Sequence, residues 1–182
     1  MADVRPRGCL LESVLLARSV EEAHLYMDIR GAEPGARGHA LIARGDDLVS
    51  TYTCVCHGAV RRFEFLIPTP TARVGMFGDE APSVIIGPGE FLKVADGMSR
   101  SVPANVSGLT TAQVAEARRR VRIAAACLDE IVKFIPEGAS SVPAAAFVSE
   151  TDQEMFAAEP GRFGKSRLQA VAGVYREMAG RS

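Results

Sequence analysis

Tryptophan is missing from this chain of 182 residues, and aromatic residues make up only 6% of it. Platforms for stacking single-stranded bases are therefore poorly supplied. Neither charge sign dominates: 21 basic residues stand against 22 acidic ones, for a formal net charge of -1. General nucleic-acid and anionic-membrane binders carry a clear basic excess, so the balance argues against both partners. Long apolar runs are scarce. In MADVRPRGCLLESVLLARS, Arg5 and Arg7 precede Cys9, Leu10 and Leu11, but Glu12 and Ser13 interrupt the run. It is too short and too broken for a signal peptide or a membrane span. A short amphipathic strand or helix is expected there instead. The cysteines are Cys9, Cys54, Cys56 and Cys127, without the spacing of a secreted disulfide framework, which points to a reducing cytoplasm. No G-x-S-x-G, HExxH or Rossmann fingerprint occurs.

Hydrophobic residues at 47% and charged residues at 24% are ordinary for a globular protein. The length fits one domain, or one domain with a small appendage, and suffices for a sizeable core. Ser19 and Glu22 form a capping box that opens a short helix near Val20. Leu25, Met27 and Ile29 alternate with Tyr26 and Asp28, a strand period. Residues 31–38, GAEPGARG, are turn chemistry. Strands follow at His39–Ala43, Leu48–Thr53 and Val60–Ile67, with Phe63 and Phe65 on one face and Arg62 and Glu64 on the other. Short turns join them into an antiparallel meander.

Beyond the proline- and glycine-rich stretch 68–82 the period changes from two to about 3.6. Pro88 sits in the first turn of a helix over Phe91, Leu92, Ala95 and Met98. Thr110 and Gln113 cap the longest helix, which runs to about Phe134. Its stripe is Val114, Ala117, Val121, Ala124, Leu128, Ile131 and Ile135, which must pack on another helix. Pro143 starts a short turn at Ala146 and Phe147. Ser166 and Gln169 resemble a further capping box, with an earlier helix start near Pro160 as the alternative, before an apolar face of Leu168, Val171, Ala172, Tyr175 and Met178. The expected class is α+β: a small ribbon-like antiparallel meander packed on a mostly helical C-terminal region. Its parts are a β-rich region 1–67, a linker 68–82 and a helical region 83–182, forming one compact unit.

The stretch TYTCVCHGAV, Thr51 to Val60, is the most suggestive chemistry. Strand, cysteine-bearing glycine turn and strand make the shape of a zinc knuckle, where two sulfurs on one turn reach the same ion. Cys54, Cys56 and His57 supply one side, and His39 or His24 is the available addition. The turn at 31–38, where a second ligand pair would sit, holds no cysteine or histidine. Structural zinc takes four ligands, so a metal-free hairpin with no cofactor is the plain expectation and zinc the alternative. A reactive thiol needs a lowered pKa. Arg118, Arg119 and Arg122 on the long helix are candidate contacts for an acidic partner, against the plainer reading of a solvated face. Residues 87–90, GPGE, offer a helix N-terminus for an anion, or only a proline in a first turn with Glu90 placed by the dipole.

EEAHLYMDIRGA, TYTCVCHGAVRRFEF, LDEIVKFIP, EPGRF, RLQAV and YRE together resemble a poorly characterised bacterial family with a zinc-ribbon-like N-terminal region and a helical C-terminal region. Its members carry cysteine turns after the LYM segment and again between the two later strands. Only Cys54 and Cys56 match, at the second turn, so the resemblance implies a degenerate ribbon. Association of such proteins with toxin genes implies a non-catalytic protein-binding role, as immunity partner of a toxin. The alternative is a zinc-ribbon protein acting on nucleic acid, or a thiol or metal enzyme working through Cys54 and Cys56.

Overall fold

A computed structural model describes residues 14–35, 37–68, 75–105 and 108–180. The class is α+β, with four strands and five α-helices among the described residues. The chain divides into two compact units, Met1–Ala72 and Arg73–Ser182.

In the first unit the strands are β1 (Leu15–Leu16), β2 (Gly38–Arg44), β3 (Asp47–Cys56) and β4 (Ala59–Leu66). Their order in the sheet is β1-β4-β3-β2. The three long strands form the expected antiparallel meander. The sheet is nevertheless mixed, because β1 adds in parallel to β4, with Leu15 opposite Phe65. Register sorts the side chains. Tyr52 lies opposite Phe63, Ser50 opposite Phe65 and Cys54 opposite Arg61 on one face. Thr51 lies opposite Glu64 and Thr53 opposite Arg62 on the other. Glu64 is buried there and pairs with Arg44 at 2.7 Å and Arg62 at 2.9 Å.

The strand expected at 25–29 is a helix, α1 (Val20–Ile29). Alternation of Leu25, Met27 and Ile29 lost to the cap and to burial at helical spacing. Ser19 Oγ accepts from the Glu22 amide at 3.0 Å. The buried Glu22 carboxylate accepts from the Arg18 amide at 2.6 Å and from its guanidinium at 2.6 and 3.0 Å. Ala23 and Met27, one turn apart, are fully buried. Tyr26 sets its ring edgewise against Phe63 and Phe65, at 6.2 and 5.9 Å between centroids. Helix α1 thus covers the aromatic face of the sheet. Gly31, at φ 83°, ends the helix in the left-handed conformation, and the Ala32 amide donates back to the Met27 carbonyl at 2.9 Å.

The second unit holds α2 (Pro88–Arg100), α3 (Thr111–Val132), α4 (Glu150–Ala158) and α5 (Lys165–Gly180). Helix α3 is the spine, packing on α2 and α5, and α4 packs on α2. Ala117, Val121, Ala124, Leu128 and Ile131 of the predicted stripe are buried. Thr110 caps α3 reciprocally with Gln113. A 3-10 turn spans Ala144–Ala146. Helix α4 is unanticipated, although Ser149 and Asp152 form a capping box at its start. Ser166 lies inside α5 rather than capping it, because a separate 3-10 turn, Pro160–Phe163, precedes that helix. Arg162 forks onto Asp96 with bonds of 2.8 and 2.6 Å, tying that turn to α2.

Candidate functional site

Cys54 and Cys56 stand two residues apart on β3, so their side chains leave the same face of the sheet. Their sulfurs are 3.6 Å apart and both residues are buried. His57 and Gly58 form the whole loop between β3 and β4. Both are left-handed, at φ 51° and 75°. A two-residue hairpin whose residues both have positive φ is a type I′ turn, the one whose twist matches the flanking strands. Glycine adopts it freely, whereas His57 does so against its Cβ.

What holds His57 is the segment that follows α1. A Cβ added to Gly31 would lie 2.1 Å from His57 Nε2, so the imidazole rests directly on the glycine backbone. Ala32 bridges to Cys56 across this seam. The Glu33 amide donates to the Val55 carbonyl at 2.8 Å, and the Glu33 carboxylate accepts from the Gly58 amide at 3.0 Å. The first turn therefore lies beside the cysteine hairpin, as a ribbon arrangement requires. It brings Gly31, Ala32 and Glu33 to the place of a second ligand pair.

The remaining histidines are engaged elsewhere on this face. His39, on β2, stacks on Tyr52 with centroids 4.7 Å apart. His24, on α1, meets the same ring edgewise at 5.2 Å. Burial, then the nearby Arg37 charge, holds His24 below its ordinary pKa. Among the described residues no group of three or more His, Cys, Asp and Glu side chains is placed to hold a metal ion. Of the candidate ligands, only Cys54 and Cys56 come together, and they do not fit four-coordinate zinc. Burial, then the hydrogen bond with Cys56, pushes the Cys54 thiol up to about 11. That is the reverse of an activated nucleophile. The Arg37 guanidinium, paired with Asp28, acts on Cys54 in the opposite direction. Cys9 lies outside the described residues.

Two further sequence candidates resolve into internal structure. On α3, Arg119 and Arg120 both bond Glu116, each through Nε at 2.9 Å, and hold its carboxyl well below the usual range. Arg122 is exposed. At the start of α2, the anion is the protein's own. Asp152 Oδ1 accepts from the Gly89 amide at 2.8 Å and the Glu90 amide at 3.1 Å. Asp152 Oδ2 also accepts from the Ser149 amide at 3.1 Å, so one carboxylate caps two helices. A Cβ at Gly89 would lie 2.5 Å from the Asp152 Cα.

Sequence reasoning passed over Glu33, Arg37, Tyr52 and Asp152. Of these only Asp152 carried a local signal, the S-x-x-D pattern from Ser149. No family model, no curated protein and no solved structure matches the chain.

One more surface belongs to the first unit. Strand β2 is one of the two outer strands of the sheet, opposite β1, and is exposed along nearly its whole length. Its sequence, GHALIAR, holds neither proline nor lysine, and its ladder to β3 is unbroken from Gly38 to Arg44. Leu41 in its middle is 61% exposed.

Proposed function

We propose that this chain is a non-catalytic protein-binding protein, an accessory or immunity partner, and that it receives an extended segment of its partner along β2. The observation carrying this reading is the outer edge of β2, which no other strand pairs among the described residues. Natural sheets blunt exposed edges with proline, lysine, bulges or very short strands. β2 runs for seven residues without proline, lysine or a bulge, and its one charged residue, Arg44, stands at its end and pairs with Glu64. An incoming strand gains main-chain hydrogen bonds along the edge, and the alternating side chains supply specificity. The toxin as partner comes from the bacterial resemblance and refines the same reading. No membrane partner is invoked: among the described residues no helix is long and apolar enough to cross a membrane. The enzymatic alternative needs Cys54 to ionise near neutral pH, and its raised pKa weighs against that.

The test pairs the wild type with Leu41→Lys, an exposed substitution that leaves the core untouched and puts a charge on the edge. The protein encoded beside this one is the partner assayed, by co-purification and calorimetry. A stoichiometric complex is expected with the wild type, with slowed hydrogen exchange at the β2 amides, and Leu41→Lys loses it. Equal affinity for both forms, unprotected β2 amides or no complex at all would overturn the proposal.

A further inference from the structure

The paired thiols have no role in the protein-binding reading, and their geometry makes a narrow chemical demand. The first possibility is a bond between them. Successive same-face Cβ atoms of an extended strand lie about 6.6 Å apart, at about 3.3 Å rise per residue. A disulfide needs its Cβ atoms about 3.8 Å apart. Cys54 and Cys56 both sit in the ladder with β4, opposite Arg61 and Ala59, so closing that gap would break the pairing. The sulfurs nevertheless reach 3.6 Å by leaning toward each other. They are too far apart on the backbone for a covalent bridge, yet close enough to share an ion.

Two metal–thiolate bonds of about 2.3 Å separate their sulfurs by about 3.8 Å at a tetrahedral ion and about 4.6 Å at a linear one. The observed 3.6 Å is about 0.2 Å short of the first and about 1 Å short of the second, a gap that side-chain rotation opens on binding. Ligand number then decides. Zinc takes four ligands, and among the described residues no third His, Cys, Asp or Glu side chain joins the two sulfurs as a ligand group. Soft sulfur ligands favour Cu(I), zinc and iron–sulfur clusters; the last two take four ligands, whereas a monovalent ion with a filled d shell is satisfied by two thiolates in line.

We propose that Cys54 and Cys56 form a two-coordinate site for a thiophilic monovalent cation, Cu(I) under cellular conditions. On binding, two S–H bonds break and two S–Cu bonds form. Two protons pass to solvent, and copper keeps its oxidation state. The resulting bis-thiolate centre carries one net negative charge, and the guanidinium of Arg37 acts on Cys54 in the sense that favours a thiolate. His57 and Gly58, next to Cys56, are exposed at the hairpin tip, while the two cysteines themselves are buried. The type I′ turn and the Glu33 cradle hold both cysteines in register beforehand, so little ordering is required on binding.

The test titrates Cu(I), kept reduced by ascorbate without oxygen, into the full chain against bathocuproine disulfonate, a chromophoric Cu(I) chelator. The wild type should withdraw one copper per chain from the chelator. Cys54→Ala and Cys56→Ala should each lose that retention, and Cys9→Ser should keep it. Circular dichroism checks that the variants are folded. X-ray absorption at the copper edge of the wild type should show two sulfur neighbours, which tests the geometry independently of any variant. The proposal is overturned if the chelator keeps all the copper, if either alanine variant retains copper as the wild type does, or if the bound ion has three or more ligands. Retention of zinc in preference to copper would overturn it too.

Discussion

Removing the Asp152 carboxylate should cost the second unit a large part of its stability. Asp152 is 1% exposed and accepts three amide hydrogen bonds, from Gly89, Glu90 and Ser149. The first two amides begin α2, and the third precedes α4. A hydrogen bond to a charged group contributes about 1.5–3 kcal/mol, and a buried donor left alone costs about 1–3 kcal/mol. The Gly89 and Glu90 bonds to Asp152 are buried, whereas the Ser149 bond is only partly buried. Asp152→Ala is therefore expected to lose about 3–5 kcal/mol, which is two buried bonds counted nearly in full and one discounted. Asp152→Asn keeps the shape and Oδ1, loses the charge and turns an amide donor toward the Ser149 amide. It should lose about half as much, on the order of 2 kcal/mol. Stabilities of domains are typically about 5–15 kcal/mol, so the alanine variant stands near the threshold of unfolding. Without tryptophan the readout is urea unfolding followed by far-ultraviolet circular dichroism, which reports the helices of this unit. An alanine variant within about 1 kcal/mol of wild type, or an asparagine variant as damaged as the alanine one, would refute the idea that a buried anion joins these two helix starts.

Further outcomes follow from the hairpin seam. Gly31→Ala should destabilise by about 2 kcal/mol or more, from the left-handed backbone and the collision with His57. In a His57→Asn background only the backbone part persists, so a double-mutant cycle should return a coupling on the order of 1 kcal/mol; additive effects would mean that the ring does not rest on Gly31. Because the folded Cys54 thiol titrates near 11 rather than its ordinary 9.0, its contribution is complete below the unfolded pKa and is lost as pH rises through the folded one. Urea midpoints of the wild type and Cys54→Ala should converge across that interval, and curves that stay parallel would show that the thiol is not protected.

Local chemistry was legible from the amino-acid order. The Ser19 and Thr110 caps, the tight glycine turn after Cys56, the Phe63/Phe65 face and the α3 stripe follow from residue types at fixed spacing, because each device acts within a turn or two of chain. The error at 25–29 shows where that reach ends. Alternation describes Leu25 and Met27, helical spacing describes Ala23 and Met27, and the choice fell to burial beneath a sheet laid down by residues 38–66. The candidate site divides the same way. That two thiols share a face near a tight turn is a property of a strand with period two. That His57 lies on Gly31, that Glu33 stands where a ligand pair would be, and that β2 is left as an outer edge depend on segments distant in sequence. So does the contact between Asp152 and Gly89, whose partners are separated by 63 residues. Hydrogen bonds and close packing act over a few ångströms of space, and only the folded chain decides which residues come within that distance.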